Sequence, residues 1–321
     1  MRVFLAGASG AIGKRLIPLL LEAGHSVTGT TRTPGKAEEI RAAGAEAAVV
    51  DALDAEAVAE AVERSRPDAI IHELTAIPAE FDVRKFAEQF RLTNRLRTEG
   101  TDHLLAAARR SGVRRFVAQS YAGWPYARTG GPVKTESEPL DPKPPEGLRE
   151  TLGAIQHLEA AVLEASGMEG IVLRYGGFYG PGNAIGEGGA VLEQVRRRRF
   201  PVIGGGRGVW SFVHIEDAAA ATVAALEHGA PGIYNIVDDD PAPVAEWLPQ
   251  LARILGAKPP LHIPRWAGRL AIGKHGVVMM TEVRGASNAK AKRELGWRPR
   301  WASWRDGFRT GLSENRARVK V

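Results

Sequence analysis

The chain has 321 residues, 44% hydrophobic and 25% charged, with a formal net charge of +6 and no cysteine. Length and composition describe a folded chain of one or two domains with a large core, and the lack of cysteine excludes a disulfide framework, thiolate metal sites and a cysteine nucleophile. The positive charge invites a nucleic-acid reading, but no zinc-finger, homeodomain or aromatic RNA-binding pattern accompanies it, and the one dense run, "RRRR" at 196–199, reads as the exposed end of a helix.

"MRVFLAGASG" runs straight into a strand with no signal-peptide architecture, and no stretch reaches eighteen apolar residues, so a cytoplasmic chain is expected, with neither nucleic-acid nor membrane partners. After the strand "RVFLAG", "IGKRLIPLLLEAG" is a helix ending at Gly24. The strand "SVTGTT", a helix through "KAEEIRAAG" and "AEAAVV" follow. Then come "DAEAVAEAVERS", the strand "DAIIHEL", a long helical stretch from about 82 to 111, and the strand "RRFVAQS". This alternation predicts an α/β fold: a Rossmann-type doubly wound parallel sheet with its ligand at the carboxyl ends of the strands. Residues 127–147 are rich in Pro and Gly and too long for an ordinary connection, so they are expected to border the active-site mouth. Beyond a helix at about 148–166 and the strand "GIVLR", "WSFVHIEDAAAATVAAL" and "GIYNIV" return to the main sheet. The expected division is a Rossmann domain of residues 1–175 plus about 211–238 and a smaller C-terminal α/β substrate domain of about 176–210 plus 239–321.

"GASGAIG", between the first strand and the first helix, has the spacing G-x-x-G-x-x-G. Backbone amides can approach a pyrophosphate there, at a helix N-terminus whose dipole favours negative charge. Gly7, Ser9, Gly10, Ala11, Ile12 and Gly13 are therefore candidate cofactor contacts. At the end of the second strand Thr31 stands where an acidic residue would hold the ribose hydroxyls of NAD, and Arg32 follows. An arginine can clamp a 2′-phosphate, which favours NADP (NADPH). Asp51, with Ala52 beside it, is placed to accept from the adenine amino group, although capping the next helix is a rival role.

Taken in order, "GASGAIG", "VVDALD", "DAIIHELTA", "GVRRFVAQS", "VLRYGGFYGPG", "FVHIEDAA", "GIYNIV" and "AKRELGWRP" make the chain resemble an extended short-chain dehydrogenase/reductase of the NAD(P)-dependent epimerase/dehydratase type. The resemblance implies hydride transfer at a nicotinamide, with a Tyr as acid or base and a Lys four residues later. Here those slots hold Thr151 and Ile155, and no tyrosine in the chain has a Lys four residues on. Thr is a poor acid or base at neutral pH. The family's substrate-binding Ser or Thr falls on Ser120 or Tyr121. Tyr121 either polarises or protonates the substrate oxygen, or packs against the Trp124–Pro125 loop.

The resemblance further implies cofactor contacts from Leu74 and Thr75 and from the segment Tyr175 to Phe178. Trp210 and Ser211 replace the Arg-Asp pair of nucleotide-sugar members, which favours an apolar or aromatic substrate lined by Trp124, Tyr126 and Trp210. His214 is expected to be structural, and Glu216 and Asp217 to open a helix. No metal is expected. A homodimer through helices at about 82–111 and 148–166 is possible by analogy, the apolar series Leu152, Ile155, Leu158 and Val162 serving either an interface or the core. The functional expectation is an NADP-dependent oxidoreductase acting on a small, mostly apolar carbonyl or activated alkene. A silent NADP(H)-binding sensor or partner-binding protein is second, and a sugar-nucleotide epimerase or dehydratase third.

Overall fold

The computed structural model describes residues 1–78 and 82–314. Seven parallel strands form one sheet: β1 Arg2–Ala6, β2 Ser26–Thr31, β3 Glu46–Val49, β4 Ala69–His72, β5 Arg115–Tyr121, β6 Glu169–Tyr175 and β7 Gly232–Ile236. Their spatial order is β7-β6-β5-β4-β1-β2-β3, so the chain begins near the middle and winds outward in both directions. The switch point lies between β1 and β4, where such sheets open a crevice at their carboxyl ends.

The inner strands β1, β4 and β6 read as largely apolar runs because helices cover both faces. Successive side chains alternate sides. Val3, Leu5, Ile71 and Leu173 face α1 (Gly13–Glu22), α2 (Pro34–Ala42) and a later helix. Phe4, Ile70, Phe116 and Val172 face α3 (Ala55–Ser65) and the helices further along, before and after β5. The long helical stretch expected at 82–111 is divided: a short 3-10 turn, α4 (Phe86–Arg95), a π turn at Leu96–Gly100 and α5 (Thr101–Arg110). α6 (Glu146–Leu163) follows, and its Leu152, Ile155, Leu158 and Val162 are all buried within the chain's own fold.

Residues 127–147 do not border the apolar cavity described below. They are tied down by Arg128, which reaches Asp141 at 2.8 Å and Glu282 at 2.6 Å, and by a parallel pairing of Val133–Lys134 with Gly285–Ala286. α7 (Ala190–Arg196) ends in the arginine run, with Arg196 paired to Glu193. After α8 (Ile215–His228), α9 (Val244–Ile254), α10 (Arg265–Thr281), α11 (Ala289–Glu294) and α12 (Trp304–Thr310) complete the tail. Tyr179, Phe212, Trp247, Trp301, Trp304 and Phe308 build a second core there. Asp217 is more than an N-terminal charge on α8: it is buried and accepts the backbone N–H groups of Arg300 and Trp301 at 2.8 and 3.0 Å, which docks the tail. Among the described residues, no helix is long and apolar enough to cross a membrane.

Where β5, β6 and α6 meet, Arg174 forks onto Glu159, with Nε–Oε1 at 2.7 Å and Nη2–Oε2 at 2.6 Å. Both side chains are almost fully buried, at 4% and 7% exposure. Ser120 donates to the same carboxylate at 2.6 Å, and Arg174 Nη1 donates to the Tyr126 hydroxyl at 3.0 Å. Removing one partner of a buried pair strands the other charge. Arg174→Met is expected to lower the urea-unfolding free energy by about 3–5 kcal/mol, and adding Glu159→Leu to recover most of it. A single-variant loss below about 1 kcal/mol, the range of exposed pairs, would show the fork to be dispensable.

Candidate active site

The Gly-rich turn is built for close approach. Gly7 has a φ of +95°, open to glycine at no steric cost, and a Cβ there would lie 2.7 Å from the Glu73 carbonyl oxygen. A Cβ on Gly13 would lie 2.4 Å from the Gly7 oxygen. Ile12, at the N-cap of α1, offers no side-chain cap, so the first amides of that helix are left for a ligand. The turn is braced from β2: Gly7 N–H donates to Thr30 at 3.2 Å and Ser9 to Thr31 at 3.1 Å. These features fit a dinucleotide pyrophosphate.

Thr31 is buried, and its hydroxyl also accepts from Thr33 N–H. Arg32 is exposed just beyond it, with no ion-pair partner among the described residues. Lys36 and Ser9 line a hollow of about 220 Å³ beside the turn. Asp51 is not the cap of α3. Asp54 caps that helix, accepting from Glu56 and Ala57, while Asp51 holds a turn through Leu53 N–H at 3.1 Å and stays exposed. Ala52 is buried, Leu74 half-buried and Thr75 exposed at the carboxyl end of β4.

The two slots of the missing dyad differ in placement. Ile155 lines a cavity of about 330 Å³ with Tyr121, Trp124, Trp210 and Met279. Thr151 is buried, its hydroxyl unpartnered and off the cavity lining. Ser120 has given its one proton to Glu159 and points away from Tyr121, its strand neighbour. Tyr121 borders the cavity, and its ring leans over Gly123, where a Cβ would come within 2.8 Å of the phenol oxygen. Burial pushes that phenol up to about 12. Tyr126, expected in the pocket, is fully buried in the Arg174 network and donates to Asn235 at 2.7 Å. Trp210 donates its indole N–H to the Met279 carbonyl at 2.9 Å, which leaves its ring to the cavity. His214 is structural: Nε2 faces the Gly311 carbonyl at 2.9 Å, Nδ1 caps α8, and burial pushes it down to about 4.

Sequence reasoning missed Arg97, Ile77, Phe86, Phe90 and Met279, all on the lining. Phe86 and Phe90 are spaced as an ordinary amphipathic helix face, and Arg97 is one of several arginines on the same helical stretch, so neither signalled a site. Among the described residues, no group of three or more His, Asp or Glu is placed to hold a metal.

The model of the NAD dependent epimerase/dehydratase family matches residues 3–237. The chain belongs to that family. A 3-diazoavenalumate denitrifying reductase from a Streptomyces species is 44% identical over 309 residues, 96% of this chain and 99% of its own. Among solved structures, the UDP-glucose 4-epimerase of Thermotoga maritima with UDP-glucose gives a TM-score of 0.75 at 26% identity, covering 97% of each chain. That of Thermus thermophilus, in complex with NAD, gives 0.74 at 26% identity over 100% of both. As a family member the chain is a nicotinamide-dinucleotide protein of oxidoreductase type, and the turn from Gly7 to Gly13 is the part that fits the dinucleotide.

This epimerase/dehydratase family member keeps a buried carboxyl under its cofactor turn. The Tyr175 hydroxyl lies 2.9 Å from Glu73 Oε1 and 2.7 Å from Thr222 Oγ1. Thr222 donates its own proton to the Ala218 carbonyl, so the single Tyr175 proton cannot serve both Thr222 and an ionised Glu73. A protonated Glu73 resolves the conflict, and burial pushes its carboxyl up to about 8. Tyr175 is thereby held inside the sheet face, packed on Phe178 with ring centroids 5.3 Å apart, and its phenol is turned away from the cavity. Because the folded pKa lies above the unfolded one, stability is fully present below about pH 4.5 and falls as pH rises through 8. Glu73→Gln is expected to lose this fall, gaining on the natural chain by up to about 1.4 kcal/mol per pH unit between those limits. Urea unfolding at pH 5, 6.5 and 8 checks it; parallel curves for the two chains would refute it.

Proposed function

We propose that the chain is an NADP-dependent reductase of a conjugated or aromatic electrophile whose reduction calls for no proton from the protein, with a diazo group foremost. The observation that carries this reading is an apolar, aromatic-walled cavity at the carboxyl ends of the strands that holds Ile155 where the family's lysine would stand. The exposed Arg32, the hydroxyl of Thr31 in the acidic slot and nearby Lys36 support a preference for the 2′-phosphate. A bound reduced nicotinamide would supply a hydride.

Reduction of a carbonyl leaves an alkoxide that must be protonated, which is the task of the absent dyad. An arene diazonium ion that accepts a hydride ends as arene and dinitrogen: one C–N bond is replaced by C–H, and the charges cancel. No acid is needed. The 44% identical relative, named for the reductive denitrification of a diazo compound, supports this choice. The protein's tasks are then to exclude water and to hold a flat substrate against Trp124 and Trp210.

A second reading, reduction of a small carbonyl or activated alkene, is favoured by Tyr121, whose hydroxyl borders the cavity without a hydrogen-bond partner among the described residues and could polarise a substrate oxygen. A phenol pushed up to about 12 donates a hydrogen bond readily but a proton poorly.

Titration by reduced-nicotinamide fluorescence is expected to show NADPH bound at least about tenfold more tightly than NADH, with Arg32→Ala removing most of the difference. Equal binding of the two nucleotides would refute the NADP preference. NADPH oxidation with an arene diazonium salt, with matching nitrogen release, is expected, and Tyr121→Phe should leave kcat within about threefold. A fall of about a hundredfold in kcat, with enones or aldehydes as the working substrates, would establish the second reading instead.

A further inference from the structure

Among the described residues that line it, the apolar cavity has a cation and no anion. Arg97 lies in the π turn between α4 and α5, a local widening that concentrates at functional sites. The turn is fixed from beneath. Thr101 donates its hydroxyl to the Arg97 carbonyl at 2.8 Å, and His72 Nε2 lies 3.0 Å from the Thr101 hydroxyl oxygen. With the Thr101 proton committed, His72 donates from Nε2, while its Nδ1 accepts from Leu74 N–H at 3.2 Å. That is a neutral imidazole, in keeping with burial pushing it down to about 4. The backbone of Arg97 is thus held by a chain of bonds that leaves its side chain to the cavity.

Arg97 is 6% exposed and lines the cavity, and its Nη1 has no hydrogen-bond partner among the described residues. Glu159 attracts it through space, yet both oxygens of that carboxylate are taken by Arg174 and one also by Ser120. Among the described residues, no carboxylate pairs with Arg97. Burial pushes Arg97 down to about 10, which still leaves it charged at neutral pH. The Tyr121 hydroxyl borders the same cavity and likewise has no hydrogen-bond partner among the described residues. Two donors therefore face a space walled by Phe86, Trp124, Ile155 and Trp210, with no carboxylate among the described residues that line it. A buried cation left unpaired is costly to the fold, and an arrangement of this kind is completed by a ligand that brings the anion.

We propose that Arg97 is an anion subsite, binding the carboxylate of a small conjugated acid whose flat body lies against the aromatic wall, with the Tyr121 hydroxyl as a second donor. This rests on the reading of the cavity as the substrate site, and it narrows the substrate to an electrophile that also carries an acid. The placement of Ile155 agrees: a lysine in that slot would bring a second cation to compete for the same anion.

Calorimetric titration of the full chain at pH 7, with and without NADP, tests this using cinnamate and its uncharged amide as probes. Cinnamate is expected to bind at least about tenfold more tightly than cinnamamide, the difference set by one charge-assisted bond in a buried site. Arg97→Met, of similar length and without charge, is expected to abolish that preference while cinnamamide still binds. It should also leave Tm unchanged or raised, since an unpaired buried charge is removed; an arginine needed only for packing would give a lower Tm. Equal affinity of the two probes for the natural chain, no cinnamate binding at millimolar concentration, or an acid preference that survives in the variant overturns the proposal. The comparison on the natural chain decides the matter even if the variant fails to fold. A chain that prefers cinnamate yet oxidises no NADPH keeps the anion subsite and loses the reductase reading.

Discussion

The cavity side of the molecule depends on the fork between Arg174 and Glu159. It is a bidentate pair in a nearly dry setting, where each charge is tolerable only because the other is there. The fork binds α6 to β6, and through Ser120 to β5, so the helix bearing Thr151 and Ile155 cannot shift against the strand that ends in Tyr121. It also commits the hydroxyl proton of Ser120 and engages Tyr126, which takes both out of the chemistry. Tyr121, Ile155 and Arg97, close to the fork, do face the cavity. One structural pair therefore decides which of the polar residues near the site are available to a ligand.

The electrostatics of this region follow from that commitment. Two arginines and one glutamate lie close together under the cavity, leaving one positive charge uncompensated among them. On the other face of the sheet the logic is opposite: Glu73 is buried without a cation, and it is accommodated by holding its proton and closing a chain through Tyr175 and Thr222 to the Ala218 carbonyl. A carboxyl can shed its charge at neutral pH when burial demands it, and a guanidinium cannot. The same low-dielectric interior thus neutralises one group and leaves the other in need of an anion.

Much of the fold was legible in the residues. The strand–helix alternation, the seven apolar strands and the Gly7–Gly13 turn are local patterns with short periods, and each was located where the structure has it. The expectation for residues 127–147 did not hold, because length and composition mark a loop but say nothing of where Arg128 anchors it. Tyr126 was expected in the substrate pocket, and the segment from Tyr175 to Phe178 at the cofactor through the family resemblance. The hydroxyls of Tyr126 and Tyr175 serve the interior as connectors, and their partners, Asn235 and Glu73, are 109 and 102 residues away. Arg97 went unnoticed because a helix with several arginines gives no sign of which one turns inward.

The sequence by itself determined the fold class, the cofactor turn and the absence of a Tyr–Lys dyad. Those depend on residue type and spacing within a few positions, where sterics, helix periodicity and glycine's freedom act directly. Only the tertiary structure decided which face of β5 meets the cavity, which hydroxyl protons are committed, and that Arg97 stands in an apolar space without a counter-ion among the described residues. These depend on distances between segments far apart in the chain, and in a low-dielectric interior such distances settle which polar groups are satisfied and which are left for a ligand.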